Sequence, residues 1–190
     1  MRVKQSLTNS LIVIITLFFL VATYYPALTN PPVQENLFLI RRAILSDGVV
    51  HGVATGEWYR LLTVALTHGS WTHLLFNMVA LFSVGTPVEI FYGKVRFSII
   101  FLASLLTASL ASYFFNPENV PAVGVSGAIF GLFAAMLVTG KRMGVDYRSV
   151  GGIIVVNLII TFVVPQIDWH AHVGGLVGGA VATYIIKALR

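Results

Sequence analysis

Apolar residues fall in six long stretches, at about 9–28, 72–91, 95–115, 125–140, 150–165 and 169–187, separated by segments that carry charge, proline or glycine. A helix needs about 20 mostly apolar residues to cross the hydrocarbon of a bilayer. The pattern therefore predicts an all-α membrane protein, a bundle of six transmembrane helices. The first stretch follows Arg2 and Lys4, as the core of a cleaved signal peptide would. Its length, and Tyr24-Tyr25-Pro26 where a small-x-small cleavage site would stand, read instead as a retained span. Pro26, Pro31 and Pro32 end that span and open a long first external loop, about residues 29–71. Within it, Asn36 to Leu45 is apolar but too short to cross, and contains Arg41 and Arg42; it reads as an interfacial helix. With no repeat, low-complexity tract or second apolar core, residues 1–190 read as one membrane domain.

Composition and charge sharpen this. Hydrophobic residues make up 57% of the chain and charged residues 10%, against roughly 25% charged in soluble domains. Arg2, Lys4, Lys94, Arg96, Lys141, Arg142, Arg148, Lys187 and Arg190 all fall on one side if every stretch crosses. Arg41, Arg42 and Arg60 fall on the other, in the long loop. Because lysine and arginine collect on the cytoplasmic side, both termini are expected in the cytoplasm and the chain in the plasma membrane. The net charge of +5 is spread singly between apolar runs and makes no nucleic-acid patch. The absence of cysteine excludes disulfides and thiolate metal sites.

Polar groups at membrane depth are costly and point to function. His73, Asn77, Ser126, Asn157 and His172 are the ones to explain, and Asn157 has no evident role. Gly124-Val125-Ser126-Gly127 opens the fourth stretch. Alone it reads as small residues for helix packing. Pro117, Pro121 and Gly124 make the preceding segment irregular, however, so Ser126 is expected at a helix N-terminus, where free N–H groups and the helix dipole favour a developing negative charge. His172 could be a satisfied core histidine, but Gly175 and Gly179 share its helix face, and Gly127 and Gly131 give the fourth stretch a similar small face. Depth ties the two together. Ser126 lies fourteen steps before Gly140, and His172 fourteen before Ile186, each next to a cytoplasmic basic anchor. Both side chains are then about 21 Å above that boundary on helices running the same way. His73 and Asn77 share a face near the outer end of the second stretch, as a packing pair or as hydrogen-bond donors to an oxyanion.

Together these residues resemble the rhomboid family of intramembrane serine proteases. His73-x-x-x-Asn77, Gly124-x-Ser126-Gly127 and Ala171-His172-x-x-Gly175-x-x-x-Gly179 match its signature in order and span. Gly85, Glu89 and Gly93 match its Gly-x-x-x-Glu-x-x-x-Gly stretch, and Trp58-Tyr59-Arg60 is similar to its Trp-Arg element with Tyr59 interposed. The resemblance covers essentially the whole chain and implies a six-span, prokaryotic-type member. It implies Ser126 as nucleophile, His172 as general base, and His73, Asn77 and the Ser126 backbone N–H as the oxyanion hole. Phe130 would pack on the histidine ring, His68 would be structural, and the segment near 164–170 would cap the site. It further implies a Ser–His dyad with no acid, no cofactor and no metal. Asp168 then reads as a loop or capping residue. The partners implied are transmembrane protein substrates, entering between the second and fifth spans, and the lipid bilayer; no oligomeric state is implied.

Other chemistries fit less well. No strand precedes Ser126 as a hydrolase elbow requires. The histidine spacings, 68/73 and 170/172, do not suit metal ligation from one helix face. A transporter would use His73 and Asn77 but has no need of a serine and a histidine at one depth. The alternative on the same fold is a catalytically silent, rhomboid-like protein that binds membrane clients.

Overall fold

Helix α1 (Leu7–Tyr24) starts where the Ser6 hydroxyl accepts from the Asn9 N–H, and stops ahead of Pro26, whose ring disfavours helical backbone in the residue before it. The computed structural model describes residues 6–144, 146–163 and 167–189. Arg2, Lys4, Arg190 and part of the expected cap, residues 164–166, lie outside the described residues. The expected first stretch, 9–28, is therefore shorter as an α-helix, and Pro26–Leu28 forms a single 3₁₀ turn.

Trp71 to Phe115 is helical apart from one break. Helix α4 (Trp71–Ala80) runs through a π turn (Leu81–Gly85) into α5 (Thr86–Phe115), and Gly93 breaks the run at φ 76°, ψ 165°. That left-handed φ is one that L side chains rarely adopt, so glycine at 93 divides the run into two arms. Helices α6 (Ser126–Met143), α7 (Tyr147–Val163) and α8 (Trp169–Ala188) follow. Among the described residues, Leu7–Tyr24, Trp71–Phe115 and Trp169–Ala188 are long and apolar enough to cross a membrane, and Ser126–Gly140 and Arg148–Ile159 are shorter apolar helical stretches. Large apolar side chains stay exposed along the outside, among them Phe76 (70%), Ile90 (79%) and Val95 (75%), a surface suited to lipid.

Between α1 and α4 the chain departs from the expected interfacial helix over Asn36 to Leu45. Two short helices, α2 (Val33–Leu37) and α3 (Arg60–Thr63), flank an antiparallel hairpin, β1 (Ala43–Ile44) with β2 (Val50–His51). The reason lies partly in the turn. Gly48 takes a positive φ beside Asp47, whose carboxylate accepts from the Val49 N–H, a turn chemistry that ends helices. It lies also in Arg60, which counted as a loop cation in the sequence but is fully buried. Its Nη1 donates to the carbonyls of Glu35 (2.7 Å) and Phe38 (2.9 Å), and its Nε to Glu57 (2.6 Å). Arg41 and Glu118 lie 3.6 Å apart as an exposed pair.

Helices α5, α6 and α8 form the tightest part of the bundle. Glycine permits it: a Cβ on Gly175 would run into the Gly127 carbonyl, and one on Gly179 into the backbone of Gly131. The backbones of α6 and α8 thus touch, as small residues allow in membrane helices. Helix α1 is fastened to the first arm of α5's run by Glu89. Its carboxylate accepts from Ser6 Oγ (2.7 Å) and from the Leu7 N–H, Thr8 N–H and Thr8 Oγ1 (2.8 Å each), placing a negative charge at a helix N-terminus.

Candidate functional site

Ser126 is the first residue of α6, and the long loop sets it there. Leu39 and Ala122 exchange backbone hydrogen bonds of 3.0 and 2.8 Å, and the Gly124 N–H donates to the Val64 carbonyl at 3.1 Å. Gly124 then turns the chain at φ 107°, a backbone angle that disfavours any other residue. Among the described residues no side chain caps the first turn of α6, so its first N–H groups have no intrahelical partner.

His172 stands in the first turn of α8. Asp168 caps that helix by accepting from the Ala171 N–H at 3.1 Å, and also accepts from Asn116 Nδ2 at 2.8 Å. The glycine contact between α6 and α8 brings the His172 Nε2 to 2.9 Å from Ser126 Oγ. Phe130, one turn along α6 from Ser126, stacks on the His172 ring with centroids 4.2 Å apart and planes 16° from parallel. His172 is 6% exposed. Its other nitrogen, Nδ1, lies 2.8 Å from Thr161 Oγ1 on α7, and that hydroxyl donates to the Asn157 carbonyl at 2.8 Å. Thr161 does not stand out in the sequence, because a threonine in an apolar helix carries no pattern of its own. The sequence leaves Asn157 unassigned, and the role of that residue lies in its backbone; its exposed side chain bonds back to the Ile153 carbonyl.

His73 and Asn77 border Gly124 from α4, whose N-terminus is capped by Ser70 accepting from the His73 N–H at 3.1 Å. A Cβ on Gly124 would lie 3.0 Å from His73 Cε1 and Nε2 and 3.5 Å from Asn77 Nδ2, so glycine here leaves the ends of both side chains uncovered. Asn77 is 6% exposed, and its Nδ2 is buried with no hydrogen-bond acceptor among the described residues. Buried amides are normally paired, so this unpaired donor beside the serine turn is an exception. His68 is fully buried, its ring centroid 5.1 Å from that of His73. Burial, with His73 beside it, pushes the His68 imidazole down to about 4 and keeps it neutral.

Ser126, His172, Phe130, Gly124, His73 and Asn77 thus converge at one end of the bundle. Gly127, Gly175 and Gly179 lie in the helix contact beneath them. Chemically, a hydroxyl paired with an imidazole beside open backbone donors suits nucleophilic attack on a carbonyl.

The Rhomboid domain family matches residues 55–189. Rhomboid protease GluP of Bacillus subtilis (strain 168) is 46% identical over 135 residues, covering 68% of this chain and 26% of that protein. YdcA of the same organism, also named a rhomboid protease, is 33% identical over 139 residues, covering 70% of each chain. RHOMBOID-like protein 5 of Arabidopsis thaliana is 32% identical over 173 residues, covering 84% of this chain and 55% of that one. The chain therefore spans only about a quarter of GluP and about half of the plant protein. With its apolar helices and a family match over most of its length, this chain is a multi-pass membrane protein that belongs to the rhomboid family of intramembrane proteases.

Proposed function

We propose that the chain is a serine endopeptidase that cleaves transmembrane segments of other membrane proteins near the outer face of the bilayer. The observation that carries this reading is the 2.9 Å separation of Ser126 Oγ and His172 Nε2 at an uncapped helix N-terminus. In the first step the serine proton moves to Nε2 as Oγ attacks the scissile carbonyl carbon. The carbonyl oxygen becomes an oxyanion, held by the Ser126 N–H and by donors on His73 and Asn77. Collapse breaks the C–N bond, and the leaving amine takes the proton from Nε2, which leaves an ester on Ser126. Water, giving its proton to Nε2, then attacks that ester; the C–Oγ bond breaks, Oγ takes the proton back from Nε2, and the acid product leaves. No cofactor or metal takes part in these steps.

The same reading takes residues 1–190 as one rhomboid-type domain whose helical arms make six spans, with the break at Gly93 separating the second from the third. Basic residues between the spans support both termini on the cytoplasmic side of the plasma membrane. Ser126 then starts a span running inward, and the remaining residues of the 18-residue α6 extend about 26 Å below it. The site lies toward the outer surface, where water can reach it. Segments that unwind easily near that surface are the preferred substrates, because a peptide bond within an intact helix is shielded from attack.

Purified protein in lipid vesicles, mixed with single-span substrates, tests this. Cleavage and labelling by a fluorophosphonate probe are expected for the wild type, with both lost in Ser126→Ala. Cleavage by that variant at the wild-type rate would exclude Ser126 as the nucleophile, and a wild type that neither cleaves nor labels would leave client binding as the function.

A further inference from the structure

We propose that Thr161 is a positioning residue that holds His172 in the tautomer able to accept the serine proton; this rests on the protease reading above. An imidazole can act as base at Nε2 only if its proton sits on Nδ1. The surroundings of Nδ1 decide that. Thr161 Oγ1 lies 2.8 Å from it, and the same hydroxyl lies 2.8 Å from the carbonyl of Asn157, one turn back on α7. A threonine hydroxyl has one proton and two lone pairs. Spending the proton on the Asn157 carbonyl, the back-bond usual for a helical threonine, leaves Thr161 an acceptor. Nδ1 must then be the donor, and Nε2 turns its lone pair toward Ser126 Oγ.

Among the described residues, no other group near the ring offers an equivalent acceptor. Asp168 lies on the same helix, but its hydrogen bonds go to the Ala171 N–H and to Asn116. Thr161 is 3% exposed and His172 6%, so water is largely excluded from the contact. Phe130 covers the ring face and restrains its tilt, but a stacked ring does not choose between nitrogens. A hydroxyl suits this place for an electrostatic reason. A carboxylate would order the imidazole as well, yet an ionised group at membrane depth is costly. The threonine accepts the Nδ1 proton without bringing a charge. The site is thereby assembled from three helices: the nucleophile on α6, the base on α8 and its orienting acceptor on α7.

The test compares Thr161→Val, which keeps the shape and removes the acceptor, with Thr161→Ser, which restores it. Both are assayed in vesicles on a single-span substrate beside wild type and Ser126→Ala. Thr161→Val is expected to lose about tenfold to a hundredfold in kcat at unchanged KM, the size of effect that removing an orienting partner of a ligating histidine has in metal sites. Thr161→Ser recovers most of the loss. In ¹⁵N-histidine spectra, with His172→Ala identifying the signal, wild type shows the proton on Nδ1, and Thr161→Val loses that preference. Wild-type kcat in Thr161→Val, with Ser126→Ala inactive, overturns the role of Thr161 and leaves the protease reading standing. Equal losses in the valine and serine variants also overturn it, since they mark a packing role. Cleavage by Ser126→Ala removes the Ser126 mechanism instead, and the spectra still decide the tautomer: an unchanged His172 signal in Thr161→Val overturns the inference.

Discussion

Asn77→Ala separates catalysis from packing more sharply than removal of the serine or the histidine. In the structure Asn77 Nδ2 is buried without an acceptor among the described residues and borders Gly124, two residues before Ser126. A buried donor left unpaired costs about 1–3 kcal/mol. Deleting the amide removes that cost and opens a small void, so the two effects on stability oppose each other and the melting temperature should change little. An oxyanion forming at the Ser126 turn would instead supply the missing acceptor. One such donor is worth about 2.7–4 kcal/mol, or roughly 10²–10³ in kcat. Because the bond is made only as charge develops, KM should hold while kcat falls. The assay is steady-state cleavage of a single-span substrate in vesicles, with thermal unfolding of the same preparations. An unchanged kcat together with a clear drop in melting temperature would show that Asn77 serves helix packing and has no part in binding the oxyanion.

Two further outcomes test the frame around the site. Gly175→Ala drives a methyl into the Gly127 carbonyl and must part α6 from α8; overpacking of this kind costs about 1–3 kcal/mol, and thermal unfolding and turnover should fall together because the Ser126–His172 hydrogen bond spans the same seam. In the external loop, His51 pairs Nδ1 with Glu57 (2.7 Å) and Nε2 with Asp47 (2.9 Å), and the hydrogen bonds to Glu57 first and Asp47 second raise its pKa. A raised pKa means the clamp is at full strength below the ordinary histidine value of about 6.5, and weakens as pH rises through the higher folded value. The Val49 N–H and His51 hold Asp47 below its usual range, so that partner stays ionised well into acid. The melting-temperature difference between wild type and His51→Ala should therefore be greatest near pH 5–6 and shrink toward pH 9, and a difference that grows with pH would refute the pairing.

Much of this protein was legible from its sequence, for reasons that belong to the membrane. A chain in hydrocarbon must satisfy its backbone within each segment, so apolar runs mark helices directly. Pro26 marks where the first such run breaks, as the bound of α1 bears out. Polar groups in such runs are rare enough to stand out. That is why Ser126, His172, His73 and Asn77 could be singled out, and why small residues at four-residue spacing pointed to close helix contact.

What the sequence could not carry were the contacts made across the fold. The apolar Asn36 to Leu45 segment looked helical, yet Arg60 draws the carbonyls of Glu35 and Phe38 to itself and the chain turns into a hairpin. Arg60 itself looked like an exposed cation, and Thr161 like any apolar-helix threonine. Each owes its place to a partner 11 to 25 residues away or more, and hydrogen bonds of that kind leave no period in the sequence. Apolar pattern and charge thus determined which segments are helices and which polar residues are costly; only the packing of α6, α7 and α8 decided which atoms meet, because a 2.9 Å contact depends on how closely the backbones approach.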